Sequence, residues 1–352
     1  MATSTRIASM ELISFVTRLF EAVGVPSDAA AFVAETLVEA DEHGVASHGV
    51  MLVPMYIDRL RNGSISLATE GTVVADRGAT GVIDAGNALG QLTARQAAAM
   101  AGAKAKAHGL GLVTVRNAFH FGMAGRFALD LAAGGAIGIV MCNTRPLLPA
   151  PGGSEAMVGN NPLAIAMPAN DAGPPVLLDM ATSESAMGKI RMALAAGKPI
   201  PEGWATDSDG RPTTDPGEAV RGMLLPTGGP KGFGLAFMID LLCGGLSSGG
   251  TGEHVRPLYG DPAEPYNSAH LFLAIDVEHF RDLGDFIGVA SRARDRVRAS
   301  RPAPGVERVM SPGEPAWAAQ RSNANACAID QAVWGQLASL AESLSLTDAI
   351  PA

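Results

Sequence analysis

From about residue 70 to residue 300 the chain alternates short apolar runs with longer helical stretches, which constrains its fold more than any other feature. GTVVAD and GVIDAG read as strands, LGQLTARQAAAMAGAKAKAHG as an alanine-rich helix, GLVTVRN as a strand, GRFALDLAAGG as a helix and AIGIVMCNT as a buried strand. PLAIAMP and VLLDMAT add strands, SAMGKIRMALAAG a helix, and KGFGLAFMIDLLCGGL a long buried helix. AHLFLAIDV then reads as a strand and HFRDLGDFIGVASRARDRVRAS as a helix. Such alternation predicts an α/β layered domain.

Helical signals flank this region. Met10, Ile13, Val16, Phe20 and Val23 recur at spacings of three and four and predict one apolar helix face. Ser27 is placed to cap a second helix that stops near Gly44. Ser47 is placed to open a third, with Pro54 inside it and Arg59, Arg61 and Asn62-Gly63 at its end. The tail from Cys327 reads as a last helix.

Composition narrows the function. Glycine contributes 42 of 352 residues with no Gly-X-Y period, which predicts tight turns and close backbone approaches. Two polar loops rich in Gly and Pro, 203–222 and 249–268, are long enough to be functional. A net charge of −9 and 5% aromatic residues argue against a nucleic-acid partner. No apolar run approaches the ~20 residues of a membrane helix. The N-terminus shows no secretory pattern. Cys142, Cys243 and Cys327 are scattered in apolar surroundings and read as buried thiols of a reducing compartment. A soluble cytoplasmic protein is expected.

The common motifs are missing. There is no phosphate-binding G-x-x-x-x-G-K-[ST] loop, no G-x-G-x-x-G, no H-E-x-x-H, no C-x-x-C and no G-x-S-x-G. A metal site is not expected. What remains are polar residues in glycine-rich turns. Ser47-His48-Gly49, at an expected helix start, suits a neutral imidazole poised for proton exchange, or a cap beside a surface histidine. Being adjacent, Ser47 and His48 are poorly disposed to form a nucleophile pair. His120, in NAFHFGMAGRF, follows a strand and precedes a helix, a geometry for binding phosphate or an ordinary turn. Thr144, Arg145, Asn160 and Asp179 sit at strand ends, where α/β sheets bind ligands. Lys231, among the glycines of GGPKGFG, suits an anion or a ribose.

Taken in order, DEHGVASHGV, VRNAFHFGMAGRFAL, NTRP, GGSEAMVGNNPLAIAMP, LLDMATSESAMGKI, IPEGWATDSDGRPTTDP, GGPKGFGLAFMIDLLCGGL and VMSPGEP resemble the non-Rossmann malate/L-lactate dehydrogenase family over roughly residues 10 to 320. That family includes sulfolactate and ureidoglycolate dehydrogenases and piperideine-2-carboxylate reductase. The resemblance implies an α/β fold like that of sulfolactate dehydrogenase: a mixed sheet with flanking helices plus a small N-terminal helical subdomain. It divides the chain into a helical subdomain at 1–70, a cofactor- and substrate-binding domain at 71–310, and a segment at 311–352 that packs back on the first. It implies a homodimer that uses NAD or NADP to interconvert a small 2-hydroxy acid and its 2-oxo acid, or to reduce a cyclic imine acid.

The resemblance also assigns residues. His48, beside Ser47, matches a proton donor, and His120 a proton acceptor in another branch; His48 is favoured here. The turn His120, Phe121, Gly122, Met123 and Ala124 matches a cofactor segment, as do Thr144, Leu178, Asp179, Met180, Lys231, Pro312, Gly313 and Glu314. Asn160 matches a substrate contact, at a position often held by threonine. Leu52 stands where the family usually has an arginine, so the clamp for the substrate carboxylate is missing there: either another cation, Arg145 being the candidate, replaces it, or the substrate is not a simple 2-oxo acid. Lys189 stands where the imine-reducing branch has an acid, which leans toward an oxo acid.

Overall fold

The computed structural model describes residues 4–323 and 325–351. Strand β1 (Ser4–Ala8) leads into α1 (Ser9–Glu21), α2 (Ser27–Glu42) and α3 (Val53–Arg61). The hairpin β2 (Thr72–Arg77) and β3 (Thr80–Asp84) precedes α4 (Gly90–His108), β4 (Leu110–Ala118), α5 (Ala124–Ala133) and β5 (Ala136–Cys142). The short pair β6 (Leu148–Pro149) and β7 (Ala156–Val158) is followed by β8 (Leu163–Met167), β9 (Val176–Met180) and α6 (Met187–Ala195). A small sheet of β10 (Ala205–Thr206), β11 (Pro212–Thr213) and β12 (Met223–Leu224) encloses α7 (Pro216–Arg221) in sequence. The rest comprises α8 (Pro230–Asp240), β13 (Ser268–Asp276), α9 (Leu283–Arg298), α10 (Glu314–Asn323), β14 (Ala326–Asp330) and α11 (Gln331–Ser343).

The main sheet has seven strands in the order β2-β3-β4-β13-β5-β8-β9. Only β3 and β4 run parallel, so the sheet is mixed, as expected. Its two faces bury different helices. Ala94, Ala97 and Ala101 of α4 and Phe127, Ala128 and Leu131 of α5 pack on Val113, Val115, Val140 and Phe272. Ile239 and Cys243 pack on Ala269 and Leu271 from the other side. A separate core joins α1, α2 and α3 to Cys327 and Ile329 of β14 and to Leu337 and Ala341 of α11.

Three expectations need correction. Ser47 does not open a helix: two 3-10 turns, Ala46–His48 and Val50–Leu52, flank an extended Gly49. Helix α3 starts only at Val53, with Pro54 in its first turn, where a missing N–H costs nothing. Cys327 is not helical but lies in β14, which pairs antiparallel with β1 from Ser4↔Asp330 to Ala8↔Ala326. Both strands are five residues long and lie at opposite ends of the chain, so neither carries a period that local reading detects. Helix α8 is not buried all round: Leu235, Phe237 and Met238 on it, Leu241 and Leu242 on the π-helical turn Leu241–Gly245, and Leu246 just after that turn are exposed.

Candidate active site

Sheet register assembles the site. Ala118 pairs with Ser268, Cys142 with His270, and Leu163 with both Met141 and Met180. The ends of β4, β5 and β9 and the starts of β13 and β8 therefore share one edge. From that edge emerge His120, Thr144-Arg145, Asn160 and Asp179-Met180. The edge is irregular where β4 meets β13. The register slips between Ser268 and His270, and Asn117 and Asn267 both hold positive φ, at 48° and 58°. Asn117 is kept there by donating to both carboxylate oxygens of Asp84, at 3.0 Å each. Bulges and left-handed residues of this kind concentrate at sites that must re-aim side chains.

His48 and His120 meet at this edge, their ring centroids 5.4 Å apart. The Nδ1 of His48 lies 2.9 Å from the Ser47 hydroxyl, so the two adjacent side chains do pair, through the 3-10 turn that places them. Loss of water contact holds the His48 pKa below its ordinary 6.5. The expected helix dipole plays no part, because no α-helix begins there. Asp41 accepts from the Val50 N–H at 2.8 Å, and burial pushes its carboxyl up to about 7. The Nδ1 of His120 lies 2.7 Å from the hydroxyl of fully buried Tyr56, which itself receives the Gln91 amide at 3.4 Å. Burial holds Tyr56 far above the ordinary phenol range, so it remains a neutral donor. Donation of its one proton to the His120 ring at 2.7 Å, rather than to the His120 carbonyl at 3.3 Å, would place the ring's own proton on Nε2. Burial first, then His48 and His270, keep His120 well below its ordinary pKa. Gly90 makes this turn possible, because a Cβ there would collide with the carbonyl oxygens of Phe119 and His120.

The other expected residues divide. Thr144 donates to Asn160 Oδ1 at 3.0 Å, and its N–H donates to Asn161 Oδ1 at 2.8 Å, so these residues form one network. Arg145 is exposed and makes no ion pair among the described residues. Asp179 accepts the Gly125 N–H at 2.9 Å; solvent reaches it, yet the crowding walls push its carboxyl up to about 6. A carboxylate thus already caps α5, so the phosphate expected at that turn would meet Asp179. What the turn does offer is Gly122 at φ +83° beside open space. Lys231 is exposed in the first turn of α8, after Gly228 and Gly229 at φ +60° and +61°, with no side-chain cap. Pro312 accepts the Leu177 N–H at 3.4 Å and Gly313 sits against Leu177, so the 311–314 turn is pinned to the strand that carries exposed Leu178. Buried Glu314 spends its carboxylate on Ser311 and Arg298. Lys189 stands exposed on α6, tied by no hydrogen bond or ion pair of its side chain to the sheet edge among the described residues. Leu52 is 1% exposed in the core around α1 to α3, a correction to its expected place against substrate, because the 3-10 turn directs it inward.

Three residues escaped the sequence reading, Tyr56, Gln91 and His270, and Arg59 reads from sequence only as a helix-end cation. Tyr56 lies one turn after Leu52 on α3 and reads as core by spacing. Arg59, 1% exposed, donates to the carbonyls of Pro257, Leu258 and Glu264 and so lashes the 249–268 loop to α3. Among the described residues no His, Cys, Asp and Glu group is arranged to hold a metal ion, and no helix is long and apolar enough to cross a membrane.

Known proteins resemble this chain in sequence and in overall fold. The profile of the malate/L-lactate dehydrogenase family matches residues 7–338. A malate dehydrogenase of Pyrococcus abyssi is 39% identical, over 88% of this chain and 86% of its own. An L-sulfolactate dehydrogenase of Methanocaldococcus jannaschii is 38% identical, over 92% of each chain. A ureidoglycolate dehydrogenase (NAD(+)) of Escherichia coli O157:H7 is 36% identical over 83% of this chain and 82% of its own. A (2R)-3-sulfolactate dehydrogenase (NADP(+)) of Chromohalobacter salexigens is 34% identical over 79% and 83%. Among solved structures, sulfolactate dehydrogenase from Methanocaldococcus jannaschii superimposes with a TM-score of 0.91 at 36% identity, over 97% of this chain and 98% of that one. The piperideine-2-carboxylate reductase from Pseudomonas syringae pvar. tomato gives 0.83 at 28% identity, over 96% and 99%. With a profile that spans nearly all of it and relatives aligned over most of their length, the chain belongs to the malate/L-lactate dehydrogenase family.

Proposed function

We propose that this chain is an NAD(P)-dependent oxidoreductase that interconverts a small 2-hydroxy acid and its 2-oxo acid, with His48 as proton donor and acceptor. The observation that carries this reading is the pair of neutral, desolvated imidazoles at the sheet edge, each held by a hydroxyl. The residues present fit a dinucleotide. The uncapped, glycine-opened start of α8 beside Lys231 suits phosphate oxygens, and Gly122 lets the backbone approach a ring closely. Thr144, Leu178 to Met180 and the pinned 312–314 turn would hold the remainder. When bound, the nicotinamide supplies or accepts the hydride.

The chain supplies orientation and the proton. In oxidation the substrate loses a hydride from C2, and its hydroxyl proton goes to His48 Nε2. Nδ1–H donated to Ser47 Oγ leaves that nitrogen free to accept it. In reduction the proton returns to the new alkoxide. His120 Nε2–H, fixed by Tyr56, orients the reacting oxygen or the nicotinamide. Arg145, with no acidic partner among the described residues, binds the substrate carboxylate in place of the arginine that Leu52 replaces. The same reading keeps 1–70 and 311–352 as a lobe packed against a 71–310 domain, supported by the β1–β14 pairing. It takes the protein as a cytoplasmic homodimer, supported by three buried free thiols and by the exposed apolar face of α8.

The absent clamp at Leu52 favours a second reading, reduction of a cyclic imine carboxylate. One assay separates them: loss of NADH and NADPH absorbance, followed in parallel with open-chain 2-oxo acids and with cyclic imine carboxylates. Turnover of a 2-oxo acid supports the proposal. Turnover of imines alone replaces it with the second reading, and failure to bind either nucleotide overturns both.

A further inference from the structure

His270 sits directly under the His120 turn and has no part in the chemistry above. It is fully buried on β13, immediately after the register slip against β4. Its ring packs edge-on against Phe121 with centroids 4.4 Å apart, and its Nε2 lies 3.2 Å from Ser268 Oγ. Ser268 in turn donates to the Ala118 carbonyl at 3.3 Å. Nδ1 is buried without a well-formed hydrogen bond. The Phe119 carbonyl also faces the ring and only partly offsets the cost of burial, which holds the imidazole at about 3. A polar ring buried in this way costs stability unless its contacts do something an apolar ring would not. Here those contacts reach Ala118, Phe119 and Phe121, the residues that bracket His120.

We infer that His270 is a positioning residue: through Ser268 and Phe121 it holds the 118–121 turn so that the His120 ring stays on the Tyr56 hydroxyl. The inference concerns the turn itself and rests on the proposed function only for its effect on rate. His270 also depresses the His120 pKa electrostatically, an effect that His270→Phe and His270→Gln remove alike, so restoration by glutamine reads geometry and not charge. A misplaced reacting group costs up to ~10²-fold in rate.

The test uses the full chain with His270→Phe, which keeps a ring, and His270→Gln, whose amide reaches toward Ser268 as Nε2 does. Histidine-selective NMR titration, with the His120 signal identified by its absence in His120→Ala, reads the turn without any substrate. His270→Phe is expected to move the His120 titration upward as water enters, and His270→Gln to restore it. An unchanged His120 titration in a folded His270→Phe protein overturns the inference. If His270→Phe fails to fold, His270→Gln decides alone: a native His120 signal supports the role of the Ser268 link, and a displaced one contradicts it. Kinetics adds a second arm. His270→Phe should lower kcat/KM about tenfold or more in the wild-type background, yet less than about twofold on top of His120→Ala. Equal losses in both backgrounds would show that His270 does not act through His120. Absence of turnover in the wild-type protein would count against the proposed function alone, leaving the NMR result to stand.

Discussion

Protonation state decides what His48 can do. Its pKa is held below 6.5 by burial, so the ring is neutral at pH 7 and ready to accept a proton. Oxidation of a 2-hydroxy acid should therefore show one acid limb below pH 6.5, with kcat/KM falling as pH drops through the depressed value. Reduction needs the charged ring and should speed up over the same range. A pH-rate profile of both directions checks this, and an oxidation rate that rises on acidification contradicts it. The turn beside His48 is also sensitive to a single methyl group. Gly90→Ala would press a Cβ on the carbonyls of Phe119 and His120 and should cost roughly 1–3 kcal/mol, together with much of kcat/KM. Thermal unfolding and steady-state kinetics measure the two effects. Sequence showed part of this scale. The polar residues of the strand-end turns stood out as candidates; Tyr56 and His270 did not. Tyr56 lies in an amphipathic helix and His270 in an apolar strand; the packing of α3 brings the first to His120, and the register of β4, β13 and β5 brings the second.

Elements were legible where one period ran long enough. The alanine-rich α4 and the apolar runs of β4, β5 and β13 fall where the alternation predicted them. Short elements were not: β1 and β14 stabilise each other across more than three hundred residues, and the 3-10 turns around Gly49 have no period to read. Among loops, 249–268 stood out by its length and its Gly and Pro content, and Arg59 holds it with three carbonyl contacts. Arg59→Met should orphan those carbonyls, each at a cost of about 1–3 kcal/mol, and release the loop. Limited proteolysis is the check: cleavage within 257–264 should become fast in the variant, and an unchanged digestion pattern would show that other contacts suffice.

Across the whole molecule, the apolar face of α8 stands apart. Met238 is 58% and Leu246 55% exposed, on a chain whose net charge is −9. Contiguous exposed apolar side chains are the kind of surface on which proteins associate. The proposed homodimer gives it an occupant, so Met238→Asp should shift the protein toward monomer in light scattering after gel filtration. A wild-type monomer, or a variant that stays dimeric, would exclude that face as the contact. The central claim remains proton transfer by His48 beside a bound nicotinamide. The most direct measurement compares kcat and cofactor Kd for the wild-type protein and His48→Ala with the best 2-oxo acid substrate. A fall in kcat of roughly 10²–10⁴-fold, with cofactor Kd unchanged, is the predicted result. An unchanged kcat would remove His48 from the chemistry and contradict the account.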